Sequence, residues 1–184
     1  MSFQKNHQII LNELNDTLTK ISDEEINNAI CLINNSSKIF FHALGRAGFM
    51  GKSFIMRLMH MGKETYVLGE TNTPNFESND LLIICSGSGE TAQFIQLAKK
   101  AQSLGGKVLA FTGTPKSTLD KLSDCSIIIP APSKKQKDND FYSVQPMASL
   151  FEQSVLLTGD TIILTMMEQG PNGNEMFHRH SNLE

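Results

Sequence analysis

The run Leu81-Leu82-Ile83-Ile84-Cys85 has no polar residue at any position. A strand with one face in water alternates apolar and polar side chains, so an unbroken apolar strand is buried on both faces. That burial requires a parallel sheet held between two layers of helix. Four more short runs fit the same reading, at Ile39 to Ala43, Thr65 to Leu68, Val108 to Phe111 and Ser126 to Ile129. Helical patterns separate them at 48–61, 91–104 and 117–122; in the second, Phe94, Leu97, Ala98, Ala101 and Leu104 align on one face and Gly105-Gly106 marks the C-terminus. The prediction is an α/β fold, a three-layer α/β/α sandwich with a five-stranded parallel sheet.

Two helices precede the alternation. Ile10, Leu14, Leu18 and Ile21 recur at helical spacing between Phe3 and Ile21. Ser22-Asp23-Glu24-Glu25 then reads as a capping box, with Glu25 three residues after the Ser22 cap, and Ile26, Ala29, Ile30 and Ile33 share a face beyond it. The length of 184 residues suits one domain: N-terminal helices over 1–37, an α/β core over 38–130, a long helix over 146–169 and a tail over 170–184.

A net charge of −3 gives no long-range attraction to nucleic acid or to an anionic membrane, so a small-molecule partner is expected. Cys31, Cys85 and Cys125 lie in or beside apolar runs and are odd in number, which predicts buried thiols in a reducing cytoplasm. The first eight residues lack the apolar core of a signal peptide, which again predicts a protein that stays inside the cell. Ser133 to Asp140 mixes both signs of charge and reads as a solvated surface loop rather than a nucleic-acid patch. Met147 to Met167 is almost wholly apolar or small. Glu152, Gln153 and Asp160 argue against a membrane span there, and a helix apolar on nearly every side must be buried on every side, which predicts a subunit interface.

Chemistry concentrates after the third strand. Ser86-Gly87-Ser88-Gly89-Glu90-Thr91 joins that strand to a helix: its glycines let a ligand approach the backbone, its hydroxyls donate, and the helix N-terminus adds free N–H groups and partial positive charge. An anion fits, and without a following Gly-Lys-Ser/Thr a phosphorylated metabolite ranks above ATP. Gly87, Gly89 and Ala92 also match a dinucleotide fingerprint. However, the next strand ends in Thr112-Gly113-Thr114 with no acid for the ribose, so NAD ranks below a sugar phosphate.

The first strand ends in Leu44-Gly45-Arg46-Ala47-Gly48, a second glycine-containing loop on the same crevice, with Arg46 offering a forked cation to phosphate or sugar oxygens. Glu152 is the candidate base, since an apolar helix disfavours its charged form; a glutamate satisfied by Arg46 fits the sequence as well. Asp160 reads as structural, holding a backbone N–H or an interface partner. His178 and His180 lack companions for a metal site, so none is assigned, and either could shuttle protons.

Gly45-Arg46-Ala47-Gly48, the 86–91 hexapeptide, Gln145-Pro146-Met147 with Leu150-Phe151-Glu152-Gln153, and the closing Arg179-His180-Ser181-Asn182-Leu183-Glu184 together resemble the 6-phospho-3-hexuloisomerases, sugar isomerase (SIS) domain enzymes. The similarity runs from the N-terminal helices to the last residue. It implies a flavodoxin-like or Rossmann-like version of the sandwich. It also implies a cytoplasmic homotetramer with sites at subunit interfaces, and isomerisation of a phosphorylated ketohexose, 3-hexulose 6-phosphate to fructose 6-phosphate, in formaldehyde fixation by the ribulose monophosphate route. Carried over by position, Ser86, Ser88 and Thr91 would hold the phosphate, with Gly45, Gly87 and Glu90 shaping the site. Arg46 would position the sugar, Glu152 would transfer the proton and His180 would be a second acid/base or ring-opening group. Ala47 stands where the family commonly has serine, which removes a hydroxyl from that loop. The reaction needs a base for the proton alpha to the carbonyl and an acid for the enediolate, and no redox cofactor or metal. Isomerases of arabinose 5-phosphate or phosphoheptose are near competitors. A non-catalytic sugar-phosphate sensor would want a DNA-binding segment, but residues 1–37 carry Lys5 and Lys20 against five acids.

Overall fold

A computed structural model describes residues 2–132 and 141–183; the polar run 133–140 lies outside the described residues. Helices α1 (Phe3–Leu18) and α2 (Asp23–Asn35) lead into β1 (Lys38–Ala43), α3 (Gly45–His60), β2 (Glu64–Val67) and β3 (Leu81–Ser86). Next come α4 (Ala92–Ser103), β4 (Lys107–Thr112), α5 (Thr118–Leu122), β5 (Cys125–Ile128), α6 (Ser149–Met167) and α7 (Gly173–Phe177). The five strands are all parallel, in the order β2-β1-β3-β4-β5.

The strand period of two sorts the sheet residues onto two cores. Phe41, Ile83, Leu109 and Phe111 face α2, α3 and α6, with α1 behind; Phe40, Leu82, Ile84 and Ala110 face α4 and α5. The register is fixed accordingly, Phe41 beside Ile83 and Ile83 beside Leu109. A slip of one residue would exchange the two cores. Each fully buried Ile, Leu or Phe contributes about 1.5–3 kcal/mol, so that exchange is strongly opposed. The chain leaves β1 toward β2 at one edge and returns to β3 on the other side, which makes the carboxyl ends of β1 and β3 the switch point where open α/β sheets hold ligands.

Three expectations need correction, and a fourth observation bears on α6. Gly45 to Gly48 is the first turn of α3 and not a loop; Gly48 packs so close to Ala43 that an added Cβ would stand 3.1 Å from the Ala43 carbonyl oxygen. The capping box at Ser22 is half made. Ser22 Oγ accepts from Glu24 N–H, but the Glu25 carboxylate accepts from Ile128 N–H at 2.9 Å, because β5 is an edge strand whose outer amides need partners. Cys31 is exposed on the outer face of α2, while Cys85 is buried. Finally, α6 keeps one open stripe: Leu157 and Leu164 are 36% and 66% exposed, and Asp160 lies on the stripe between them. Among the described residues no helix is long and apolar enough to cross a membrane.

Candidate active site

β3 delivers Ser86 to the switch point, and the chain turns there on Gly89. At φ +63 that residue is in the left-handed region, and a Cβ would lie 2.1 Å from Ser117 Oγ. Ser86 Oγ accepts from Gly89 N–H at 3.2 Å and Ser88 Oγ accepts from Glu90 N–H at 3.3 Å, so both hydroxyls spend lone pairs on the loop and keep their protons for a ligand. Thr91 caps α4 through its backbone alone, leaving its hydroxyl outside the cap. The first N–H groups of α4 have no intrahelical acceptor, and they open into the same space. The loop is strapped from behind: Gly87 O accepts from Gly113 N–H at 3.1 Å and from Thr114 Oγ1 at 3.0 Å, and Gly89 O accepts from Leu119 N–H at 3.0 Å.

Glu90, expected among the substrate-binding residues, is turned to other use. Its carboxylate accepts from Thr118 N–H at 2.7 Å and Thr118 Oγ1 at 2.8 Å, closing the start of α5, and these bonds hold its carboxyl below the usual range. It borders the cavity, but its oxygens are engaged.

The opposite wall comes from α3 and α6. Gly45 opens α3 at φ +60, and Leu44 gives that helix no side-chain cap, so a second uncapped N-terminus borders the cavity. Arg46 in that turn donates from Nη1 to Glu152 Oε2 at 2.7 Å. Glu152 lies in the first turn of α6 and is 5% exposed, and among the described residues its Oε1 accepts no hydrogen bond. A carboxylate there also gains from the helix N-terminus. Phe151 lies against Gly87, so α6 beside Glu152 and the Ser86–Thr91 loop meet across one ring. Together these walls enclose about 690 Å³, within the range of about 300–1,000 Å³ usual for small-ligand sites.

The structure does not bring His180 to this cavity within one chain. Its ring stacks on His60 at 5.3 Å, and Arg179 Nη1 pins the tail by donating to His60 O at 3.1 Å. His60 ends the helix that Gly45 begins, and 15 residues at 1.5 Å each put about 22 Å between them. Burial, Arg57 and His180 all push His60 down.

The sequence did not single out Thr114 or Phe94 in the cavity wall, nor His42, whose ring stands edge-on to Phe94 at 5.4 Å with its Nε2 buried and unpartnered. Burial pushes His42 down, so it sits neutral beneath the site. Gly and Ser spacing signals a loop; nothing in the local sequence signals the side chains that pack on it from other elements.

Comparison with known proteins agrees with this fold. The SIS domain family model matches residues 32–157. A Bacillus subtilis protein named 3-hexulose-6-phosphate isomerase is 46% identical over 176 residues, 95% of each chain. One from Mycobacterium gastri with the same name is 33% identical, over 97% of this chain and 90% of its own. A crystal structure from Methanococcus jannaschii, described as inferring a molecular function of 3-hexulose-6-phosphate isomerase, superposes with a TM-score of 0.83 at 32% identity, covering 98% of this chain and 99% of that one. With the family model, the near full-length relatives and the fold in agreement, this chain belongs to the SIS domain family.

Proposed function

We propose that this chain interconverts D-arabino-hex-3-ulose 6-phosphate and D-fructose 6-phosphate. The observation that carries the reading is the single cavity in which the Ser86–Thr91 loop faces Glu152. The phosphate sits on the hydroxyls of Ser86, Ser88 and Thr91 and on the N-terminus of α4. Glu152 Oε1 takes the proton from C2, alpha to the C3 carbonyl, and the electron pair moves to give an enediolate across C2 and C3. Collapse of that intermediate with proton return at C3, and transfer of the hydroxyl proton from O2 to O3, leaves the carbonyl at C2. Atoms and charge balance with no cofactor. Arg46, bonded to Glu152 Oε2 through Nη1, has N–H groups left to offer the enediolate oxygens.

His180 serves as a second acid/base group only if a neighbouring subunit supplies it, since its ring stacks on His60, at the end of α3 opposite the cavity. A cytoplasmic homotetramer with shared sites accommodates that requirement, and the exposed Phe49, Met56, Leu157 and Leu164 on α3 and α6 supply an apolar face for assembly. The test is turnover. The purified protein should form fructose 6-phosphate from the 3-hexulose 6-phosphate and should leave arabinose 5-phosphate and sedoheptulose 7-phosphate unchanged; the reverse pattern overturns the reading.

A further inference from the structure

Glu13 lies on α1, remote in sequence from every motif of the cavity, yet one short segment gives its carboxylate three hydrogen bonds. Oε2 accepts from Ser143 Oγ at 2.7 Å and from Gln145 Nε2 at 2.9 Å, and Oε1 accepts from Val144 N–H at 2.9 Å. Ser143 Oγ in turn accepts from Gln145 N–H at 3.0 Å. Burial raises this carboxyl, but the bonds from Ser143, Gln145 and Val144 outweigh it and hold the group below its usual range.

The clasped segment is the approach to α6. Pro146 O accepts from Ser149 N–H at 3.1 Å and Ala148 O accepts from Glu152 N–H at 3.0 Å, so hydrogen bonds lead almost continuously from Glu13 to the candidate base. Between them Met147 sits at φ +58, a conformation that costs an L-residue about 1–2 kcal/mol. Such strain persists only where the surroundings over-determine it. α6 has no side-chain cap at this end, where its N-cap is Ala148; the burial of Leu150 and Phe151 and the bond from Arg46 hold the helix body, while the loop that Glu13 clasps leads into its first residue. Ala148, Phe151 and Glu152, the residues that follow, all line the cavity.

We propose that Glu13 is a positioning residue for the reaction: by clasping residues 143–145 it sets where α6 begins, and so where Glu152 stands against the Ser86–Thr91 loop. The inference rests on the reading of Glu152 as the base. A contact that only stabilises the fold moves the melting temperature and leaves turnover per folded molecule alone. A positioning contact lowers kcat at nearly constant KM, because the phosphate loop hangs from β3 and α4 and is untouched.

The experiment compares Glu13→Ala, Gln145→Glu, and Gln145→Glu combined with Glu13→Gln, assayed well below each melting temperature. Gln145→Glu sets two carboxylates against each other; in the double variant the amide introduced at position 13 donates to the carboxylate introduced at position 145, and its carbonyl oxygen accepts from Val144 N–H, so the bridge re-forms with its polarity reversed. Glu13→Ala should lose about 10- to 100-fold in kcat, as misplacement of a reacting group by about 1 Å does. KM should stay within about twofold, Gln145→Glu should lose comparably, and the double variant should recover most of the loss relative to Gln145→Glu. Wild-type kcat in folded Glu13→Ala overturns the proposal; should that variant not fold, absence of recovery in the double variant relative to Gln145→Glu overturns it. If the wild-type protein does not turn over the hexulose phosphate, it is the proposed function that has failed, and amide exchange judges the clasp alone. Residues 144–152 should then exchange faster without Glu13 while residues 86–91 keep their protection, and equal protection of 144–152 overturns the proposal.

Discussion

Glu152→Gln separates the base from the scaffold, because the two roles predict different magnitudes. As a base, Glu152 supplies about 10²- to 10⁴-fold of rate, or about 2.7–5.4 kcal/mol of transition-state stabilisation. The amide cannot take the proton alpha to the carbonyl, at C2 of the 3-hexulose or C3 of fructose 6-phosphate, so kcat falls by that amount. Its effect on the fold is small: the introduced carbonyl oxygen still accepts from Arg46, and what is lost is the charge assistance of a pair whose arginine side chain is 47% exposed. Water screens such a pair, so the loss is about 1 kcal/mol or less, about 2–4 °C in melting temperature for a chain of this size. The new NH₂ faces a cavity open to water and is not buried unpaired. KM should change little, since Ser86, Ser88, Thr91 and the α4 amides are unaltered. Steady-state kinetics on fructose 6-phosphate, beside a melting curve, decide the matter. A folded variant with kcat within about threefold of wild type would move the base elsewhere, and activity lost only in proportion to unfolding would make Glu152 structural.

Ser88→Asp places a carboxylate at the N-terminus of α4, where the helix favours it by about 0.3–1 kcal/mol, so the protein should stay folded while a phosphate is repelled. Calorimetry should show fructose 6-phosphate affinity reduced by at least about 100-fold, roughly the effect of removing about 2.7 kcal/mol, and unchanged affinity would refute the phosphate assignment. Gly89→Ala forces a side chain into left-handed backbone and onto Ser117 Oγ, which caps α5. The strain and overpacking together should destabilise by about 2–5 kcal/mol. A denaturant midpoint shift equivalent to about 0.5 kcal/mol or less would show that the loop relaxes freely.

The strands and the Ser86–Thr91 turn between β3 and α4 were legible in the sequence for one physical reason: their signals are contiguous. An unbroken apolar pentapeptide can only be buried on both faces, and Ser86 to Thr91 are neighbours in the chain before they are neighbours in space. Arg46 and Glu152 could each be named from flanking glycines and an apolar setting, although their 2.7 Å bond spans 106 positions. Where a local pattern has a competing long-range partner, local reading fails. Glu25 suits a capping box three residues after Ser22, yet an edge-strand amide at Ile128 takes it. Glu90 sits in the binding motif, yet the open end of α5 at Thr118 claims its carboxylate. Glu13 leaves no local trace, because all three of its donors lie about 130 positions away.

The apolar helix shows the limit most directly. Composition states that α6 must be covered nearly all round, but not by what. In the fold α1, α2, α3 and the sheet cover most of it and leave the Leu157–Leu164 stripe open beside Phe49 and Met56 of α3. A second copy laid on α3 and α6 would bury the open leucines, and a surface of that kind is matched by a partner that no pattern within one chain can name.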